Sequence, residues 1–268
     1  MKLQKLIKKL RRADHRTAVS ALSSIEEKIS PQGAAFSEEA VMAIPLLFDI
    51  ATRSETKARR EILNYLGSAY EDTLGTWQFR WDEDPETRHY FTEMVAWEQA
   101  ISETYRSCMP SVIHLLGRDN DESVRGSSVF LLSRIKECPN NLTLTFRNMY
   151  AEQAGDAFRI DIIEGMTNLI FRQNPVPAAE LHWLHEKLKD PSPAIRMGTA
   201  LSLMAREGQQ KEVESDEPGN RSLNQIALDA RGKGEHTLRK TAWLAKKSTD
   251  WALERAFVQT ADSGDTKP

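Results

Sequence analysis

Apolar residues recur at three- and four-residue spacings along most of this 268-residue chain. Such spacing places apolar side chains on one face of a helix and leaves the other faces polar. No stretch alternates β-branched and polar residues between hairpin turns, as a half-buried strand would. The pattern therefore predicts an all-α protein built from successive helices. The clearest apolar sets are Val41, Ile44, Leu47, Phe48 and Ala51; Ile62, Leu63 and Leu66; Val112, Ile113, Leu115 and Leu116; and Val129, Leu131, Leu132 and Ile135.

A second regularity is a small or apolar residue followed by arginine, near the start of alternate predicted helices. The pairs are Ala58-Arg59, Val124-Arg125, Phe158-Arg159, Ile195-Arg196 and Leu238-Arg239, and the steps between the arginines are 66, 34, 37 and 43 residues. One helical hairpin of a tandem-repeat protein takes about 34 to 47 residues. The three shorter steps each match one hairpin, and the longest matches one hairpin plus an insertion.

Residues 115–135 and 187–207 show the repeat most clearly. Each has a leucine-rich helix, a turn with Asp or Pro, and a second helix that opens with Val-Arg or Ile-Arg and small residues. They resemble bacterial HEAT-like repeats, and weaker copies extend the resemblance over most of residues 38–207. The resemblance implies a right-handed α-solenoid of about six helical hairpins, with an insertion between the second and third. It implies an architecture and leaves the function open.

Stacked hairpins share a continuous core, so we expect residues 1–250 to form a single domain. Within that domain, residues 71–91 are predicted to be an inserted loop. The polar tract 208–222 is predicted to be a mobile linker between repeats. Residues 251–268 are predicted to be the end of the last helix and a disordered tail.

The repeated arginine falls in the first turn of the second helix of each hairpin, where the helix dipole disfavours a cation. Its recurrence there indicates a fixed partner, an aspartate or a backbone carbonyl of the neighbouring repeat. An aspartate six residues before two of the arginines is expected to cap the next helix or hold the turn. We predict a structural ladder, and not a ligand site, made of Arg59, Asp119, Arg125, Arg159, Asp190, Arg196 and Arg239.

The insertion does not fit the repeat, and it concentrates aromatic and acidic residues. Residues 71–98 contain eight acidic and two basic side chains. Trp and Tyr are favoured at binding hot spots, and carboxylates beside them attract a basic partner. One interpretation is a partner-binding site made of Trp77, Phe79, Trp81, Asp82, Glu83, Asp84, Glu86 and Tyr90. The other is that the aromatic residues pack back onto the helices and the acids only keep the segment solvated.

The net charge of −3 conceals a basic N-terminus. Residues 1–16 hold seven Lys and Arg against one acid, and Leu3, Leu6, Ile7 and Leu10 have helical spacing. Such a helix could bind a membrane surface or a nucleic acid. We favour a first repeat helix with one buried and one solvated face, because the apolar stripe is narrow and has no aromatic anchor.

Composition and motifs exclude several classes of protein. Two cysteines make no disulfide scaffold, and no apolar run is long enough to span a membrane, which together predict a cytoplasmic protein. The acids of residues 82–86 lack the glycine and distant glutamate of a calcium-binding loop, so no metal is expected. No nucleophile elbow, phosphate loop or dinucleotide motif is present, and no cofactor is expected.

These features favour a non-catalytic protein–protein interaction module that uses its concave face and the insertion. A narrower hypothesis is an immunity-type protein that neutralises a basic toxin domain. Neither a membrane partner nor a small-molecule substrate is expected. The alternative is a nucleic-acid-binding or DNA-glycosylase-like HEAT-repeat protein. It would use the basic N-terminus together with Arg53, Lys57, Arg59 and Arg60, but the acidic insertion would repel phosphates.

Overall fold

The computed structural model describes residues 2–83, 86, 88–136, 139, 141–152, 155–207 and 223–242. Within these residues there are twelve α-helices and no β-strand, which confirms the all-α prediction. The predicted linker 208–222, the predicted tail 251–268 and Asp84 lie outside the described residues. The helices are α1 (Leu3–Arg12), α2 (His15–Ile29), α3 (Glu38–Ala51), α4 (Arg59–Asp72), α5 (Thr76–Glu83), α6 (Arg88–Arg118), α7 (Glu122–Leu132), α8 (Leu142–Glu152), α9 (Asp156–Phe171), α10 (Ala178–Lys187), α11 (Pro193–Glu207) and α12 (Leu223–Leu238).

The chain divides into two compact units, Met1–Cys138 and Pro139–Pro268, which are described separately. The prediction of a single domain over residues 1–250 stays a prediction, as do the solenoid and its number of hairpins. Among the described residues, no helix is long and apolar enough to cross a membrane.

In the first unit, successive helices pack in pairs, α1 with α2, α3 with α4 and α6 with α7. Neighbouring pairs also contact each other, because α3 packs against α6 and α4 against α7. The apolar faces predicted from the spacing form the core, and each fully buried Leu or Ile stabilises it by about 1.5–3 kcal/mol relative to exposure. The fully buried residues include Leu10, Ile25, Ile44, Leu47, Ile62, Leu66, Tyr105 and Leu131.

The contact between α4 and α7 requires a glycine. A Cβ atom on Gly67 would lie 2.7 Å from two ring carbons of Phe130 and 3.2 Å from the Cα of Leu131. The two helix backbones therefore approach more closely than any side chain at this position would allow.

The second unit repeats this construction. Helix α9 packs against α8 and α11, and α11 packs against α10 and α12. Phe146, Phe158, Ile163 and Leu203 are fully buried. A Cβ atom on Gly198 would lie 2.7 Å from the Cγ2 of Ile160, so a glycine again permits the close approach, here between α9 and α11.

Two turns, one before α7 and one before α11, contain the same kind of hydrogen bond. The Oδ1 atom of Asp119 accepts from the backbone N–H of Asp121 at 2.9 Å. The Oδ1 atom of Asp190 accepts from the N–H of Ser192 at 2.8 Å. Both aspartates therefore hold the turn, which is one of the two roles expected for them.

The repeated arginines reach back across these short connections. Three of them donate to a backbone carbonyl in or just after the preceding helix of the same hairpin, whereas a carbonyl of the neighbouring hairpin was one of the expected partners. Arg59 also donates to Asp119, an aspartate of the next helix pair, which was the other expected kind of partner. The carbonyl contacts are Arg59 Nε to Ala51 at 3.0 Å, Arg125 Nε to Leu116 at 3.0 Å and Arg196 Nη1 to Asp190 at 2.7 Å.

The remaining two arginines have other surroundings. The guanidinium of Arg159 lies over the ring of Tyr150, 5.3 Å from its centroid. Exposed Arg239 donates to Glu235, one turn earlier in the chain, at 2.7 Å. The five arginines thus occupy the same position in the repeat but do not all make the same contact, because the available acceptors differ from one turn to the next.

Candidate functional site

The segment predicted to be an inserted loop is largely helical. Helix α4 ends at Asp72, and Gly75 then adopts a φ of 95°, a left-handed conformation that favours glycine. Helix α5 begins at the next residue, and α6 begins at Arg88. We call α5 together with residues 88–98 of α6 the acidic hairpin, since these two helices pack against each other.

The carboxylate of Glu98 fixes the start of α5. Its Oε1 atom accepts from the backbone N–H groups of Gly75 at 3.0 Å and Trp77 at 3.1 Å. Its Oε2 atom accepts from the N–H of Gln78 at 3.0 Å. Glu98 is 4% exposed, so one buried negative charge satisfies three amide groups that a helix N-terminus leaves unpaired.

Trp77 anchors the acidic hairpin to the rest of its unit. Its indole Nε1–H donates to the carbonyl of Phe36 at 2.8 Å. Its ring stacks on Phe91, with centroids 5.9 Å apart and planes 25° apart. Trp77 therefore packs inward, as one of the two interpretations of the segment expects.

Trp81 is half-buried beneath an arginine. The guanidinium of Arg88 lies 4.4 Å from the centroid of the indole ring, and its Nε–H donates to the carbonyl of Trp81 at 3.1 Å. These two contacts tie the end of α5 to the start of α6. Both tryptophans of the predicted site thus contribute to holding the hairpin together.

Phe79 and Tyr90 are the large apolar side chains that the acidic hairpin presents to solvent. Phe79 is 63% exposed and Tyr90 is 65% exposed. The ring of Tyr90 lies against that of His89, with centroids 3.8 Å apart and planes tilted by 40°. Burying such rings would be favourable, so their exposure marks them as candidate contact residues.

Exposed acids lie close to each ring along its own helix. Asp82 and Glu83 follow Phe79 by three and four residues, which puts them on its side of α5, and Glu93 follows Tyr90 by three residues on α6. The side chain of Asp82 accepts from Gln78 Nε2 at 3.1 Å. Glu86, in the turn between the helices, is also exposed.

Two of the acids counted in the sequence do not contribute to this surface. Glu98 is the buried cap, and Glu71 accepts from the Nε of Arg134 at 2.8 Å. Neither residue belongs to the partner-binding site predicted from the sequence, so that prediction is unchanged. The cap was missed because its three amide groups lie about 20 residues earlier in the chain, and no local pattern links them to Glu98.

Elsewhere in the first unit, the carboxylate of Asp119 is paired with Arg59. Partial burial by itself would raise its pKa, but hydrogen bonds from Arg59 and from the N–H of Asp121, with the positive charges of Arg59 and Arg125, lower it below its ordinary value. This is the behaviour of a structural ion pair. In the described part of the chain, no three His, Cys, Asp or Glu side chains gather as metal ligands would.

Comparison of the chain with models of protein families, with curated proteins and with solved structures finds no match. The HEAT-like resemblance therefore stays a prediction from the repeat pattern. The function must be argued from the residues of the molecule itself.

Proposed function

We propose that this protein is a HEAT-like α-solenoid that binds another protein through the acidic hairpin, without catalysis of its own and in the cytoplasm. The observation that carries the proposal is the exposure of Phe79 and Tyr90, at 63% and 65%, on a hairpin whose other aromatic residues are packed. An aromatic residue that a protein leaves in water at a well-fixed position is suited to bury itself in a partner.

The packing within each unit supports the solenoid part of the proposal. In the first unit, first helices contact first helices and second helices contact second helices, as α3 with α6 and α4 with α7. A stack of helical hairpins makes this pattern of contacts. The acidic hairpin follows α4, which agrees with an insertion between a second and a third repeat.

The fixed geometry of the hairpin supports the binding part. Glu98 holds the start of α5, Trp77 ties it to Phe36, and Arg88 covers Trp81. A surface that is already ordered loses little conformational entropy when it binds. The rings of Phe79 and Tyr90 can therefore contribute most of their burial energy to the affinity.

The acids around these rings specify a basic partner. Asp82, Glu83, Glu86 and Glu93 are all exposed. Charges at the rim of an interface speed association with a partner of opposite charge and matter less for the final affinity. A toxin domain with a basic surface is the narrower partner class, and the protein would then act as its immunity protein.

A pull-down with two matched double variants tests the proposal. We expect the wild-type chain to retain one stoichiometric partner, and Phe79→Ala/Tyr90→Ala to lose it, with at least a tenfold weaker affinity for a hot-spot pair. The control is Met42→Ala/Leu144→Ala, which removes two side chains that are each 60% exposed elsewhere. Equal retention by both variants would refute a binding role for the hairpin.

The role of the exposed acids is tested separately, by measuring the rate of association. Asp82→Lys/Glu83→Lys should slow association with the captured partner, and the difference from wild type should shrink as salt is added. If the partner is a toxin domain, the wild-type chain should inhibit its activity and Phe79→Ala/Tyr90→Ala should not. If a partner binds and its activity does not change, the proposal of a protein-binding function stands and the narrower proposal of an immunity protein is excluded.

A further inference from the structure

Helix α1 carries a basic face that the proposed partner-binding function does not use. At 3.6 residues per turn, four cations of α1 and Lys2, the residue just before it, lie within an arc of about 120° around the helix axis. All five are exposed. We define the basic face as these residues: Lys2, Lys5, Lys8, Lys9 and Arg12.

Within the described part of the chain, the cations of the basic face have no ion-pair partner. The nearby arginine shows the contrast, because Arg11 donates to Asp49 at 2.7 Å. Asp49 is already shared, since it also accepts from Arg53 at 3.0 Å. The five charges therefore add without compensation along one side of the helix.

We propose that the basic face of α1 binds the phosphate backbone of a nucleic acid without reading its sequence. From Lys2 to Arg12 the helix rises about 15 Å, and a DNA duplex carries one charge per about 1.7 Å of its axis, so several phosphates lie within reach at once. Four of the five cations are lysines, whose compact charge suits phosphate contact and not the bidentate reading of a base.

The buried side of α1 argues against a membrane surface as the ligand. An interfacial helix inserts its apolar face into the lipid. Here that face is already occupied, because Leu6 is 1%, Ile7 is 7% and Leu10 is 0% exposed. What remains to solvent is charge, so a membrane could hold this helix only electrostatically, at about 1 kcal/mol per cation and without insertion.

Ion pairs remove two arginines from the wider basic edge that the sequence suggested as part of a nucleic-acid site. Arg59 is buried and paired with Asp119, so it is not available to a phosphate. Arg53 is engaged with Asp49 through three hydrogen bonds. The site is therefore the face of α1, and its use does not depend on the acidic hairpin or on the proposed protein partner.

Fluorescence anisotropy with labelled oligonucleotides of about 20 nucleotides, as single strands and as duplexes, tests this proposal on the full chain. Between about 50 and 200 mM salt, log K should fall linearly with log[salt], with a duplex slope of about −2.7 to −4.5 for three to five phosphate contacts. In Lys5→Gln/Lys8→Gln/Arg12→Gln the affinity should drop at least tenfold, and the slope should be smaller in magnitude by about 2 to 3.

The matched control removes the same number of charges from exposed lysines outside both the basic face and the wider basic edge, as Lys28→Gln/Lys136→Gln/Lys189→Gln. It should bind as wild type does, with an unchanged slope. Equal loss in both triple variants would overturn the proposal, because general charge would then explain the binding. So would binding to vesicles of anionic phospholipid without binding to either oligonucleotide. Phe79→Ala/Tyr90→Ala should bind oligonucleotides normally, which separates this test from the proposed protein interaction.

Discussion

Asp119 combines two interactions that structure the first unit, a hydrogen bond that holds a turn and an ion pair with Arg59. The side chains of the pair are only 9% and 12% exposed. A partly buried arginine that loses its carboxylate keeps a charge it can no longer compensate, which makes breaking such a pair costly. The pair joins α4 to the turn before α7, so it links two neighbouring helix pairs.

We expect Asp119→Asn to lower the free energy of unfolding by about 1–3 kcal/mol at neutral pH. The folded-state pKa of Asp119 lies below its ordinary value of 3.8. Its contribution to stability is therefore present above that value and is lost as the pH falls through the folded pKa. Urea unfolding should show a clear difference between wild type and Asp119→Asn at about pH 7 and a smaller one at about pH 3, below the ordinary pKa, where the loss is under way.

Asp82→Asn is the control for this pH dependence, since it neutralises an exposed carboxylate on the hairpin. Its effect on stability should stay within about 0.5 kcal/mol at both pH values. A difference between wild type and Asp119→Asn that is the same in acid and at neutral pH would contradict the ion-pair argument.

At the same scale, the sequence predicted burial better than it predicted contacts. Ile44, Leu47 and Ile62 are buried as their spacing predicts, because helical periodicity reports directly which side chains face the core. The partner of each repeated arginine could not be read in this way. Arg125 and Arg196 donate to carbonyls of their own hairpins, and a backbone carbonyl has no identity in a sequence pattern.

Among the helices, α5 depends most on a single distant residue. Its eight residues have no buried side chain of their own, and isolated helices of this length are marginal in water. Glu98 compensates by accepting from three amide groups at the start of the helix. The acidic hairpin should therefore lose its order when this cap is weakened.

We expect Glu98→Gln to raise amide hydrogen exchange at the N–H groups of Gly75, Trp77 and Gln78 by at least tenfold. The glutamine side chain lacks the negative charge that the helix dipole favours, and its NH₂ group faces backbone N–H groups where a carboxylate oxygen accepted from them. The helix start should lose about 1–3 kcal/mol of stabilisation. Exchange of the peptide covering residues 73–83, measured by mass spectrometry, reports the change. Glu93→Gln, on the exposed side of the same helix, should leave that exchange as in wild type.

Unchanged exchange in Glu98→Gln would mean that packing of Trp77 on Phe91 is enough to hold α5.

The sequence could not have placed this helix, because aromatic and acidic residues in a segment outside the repeat give no helical periodicity. Gly75, which makes the turn into α5, was visible, but a glycine alone does not distinguish a turn into a helix from a turn into a loop.

At the scale of the whole molecule, the near-neutral net charge conceals two surface patches of opposite sign. The basic face lies on α1, and the exposed acids lie on the acidic hairpin. Both belong to the unit Met1–Cys138. The sequence already separated these charges, but it could not show that Glu98 and Arg59 are buried in structural roles while Phe79 and Tyr90 remain exposed.

If the first unit carries both surfaces and its own core, residues 1–138 should fold without the rest of the chain. Its three helix pairs bury residues from every pair, among them Leu10, Ile44 and Leu131. At about 0.7 kcal/mol per residue near 60 °C, calorimetry should record one transition with an enthalpy of about 90–100 kcal/mol. The helical circular dichroism of the fragment should be lost in the same transition.

The fragment should also keep both binding activities, with affinities for the partner and for the oligonucleotide within about threefold of those of the full chain. A fragment with helical signal but no cooperative transition would show that its core is incomplete without residues 139–268. A folded fragment that binds the oligonucleotide but not the protein partner would place part of the protein interface in the second unit, since the acidic hairpin and the basic face are both retained in it.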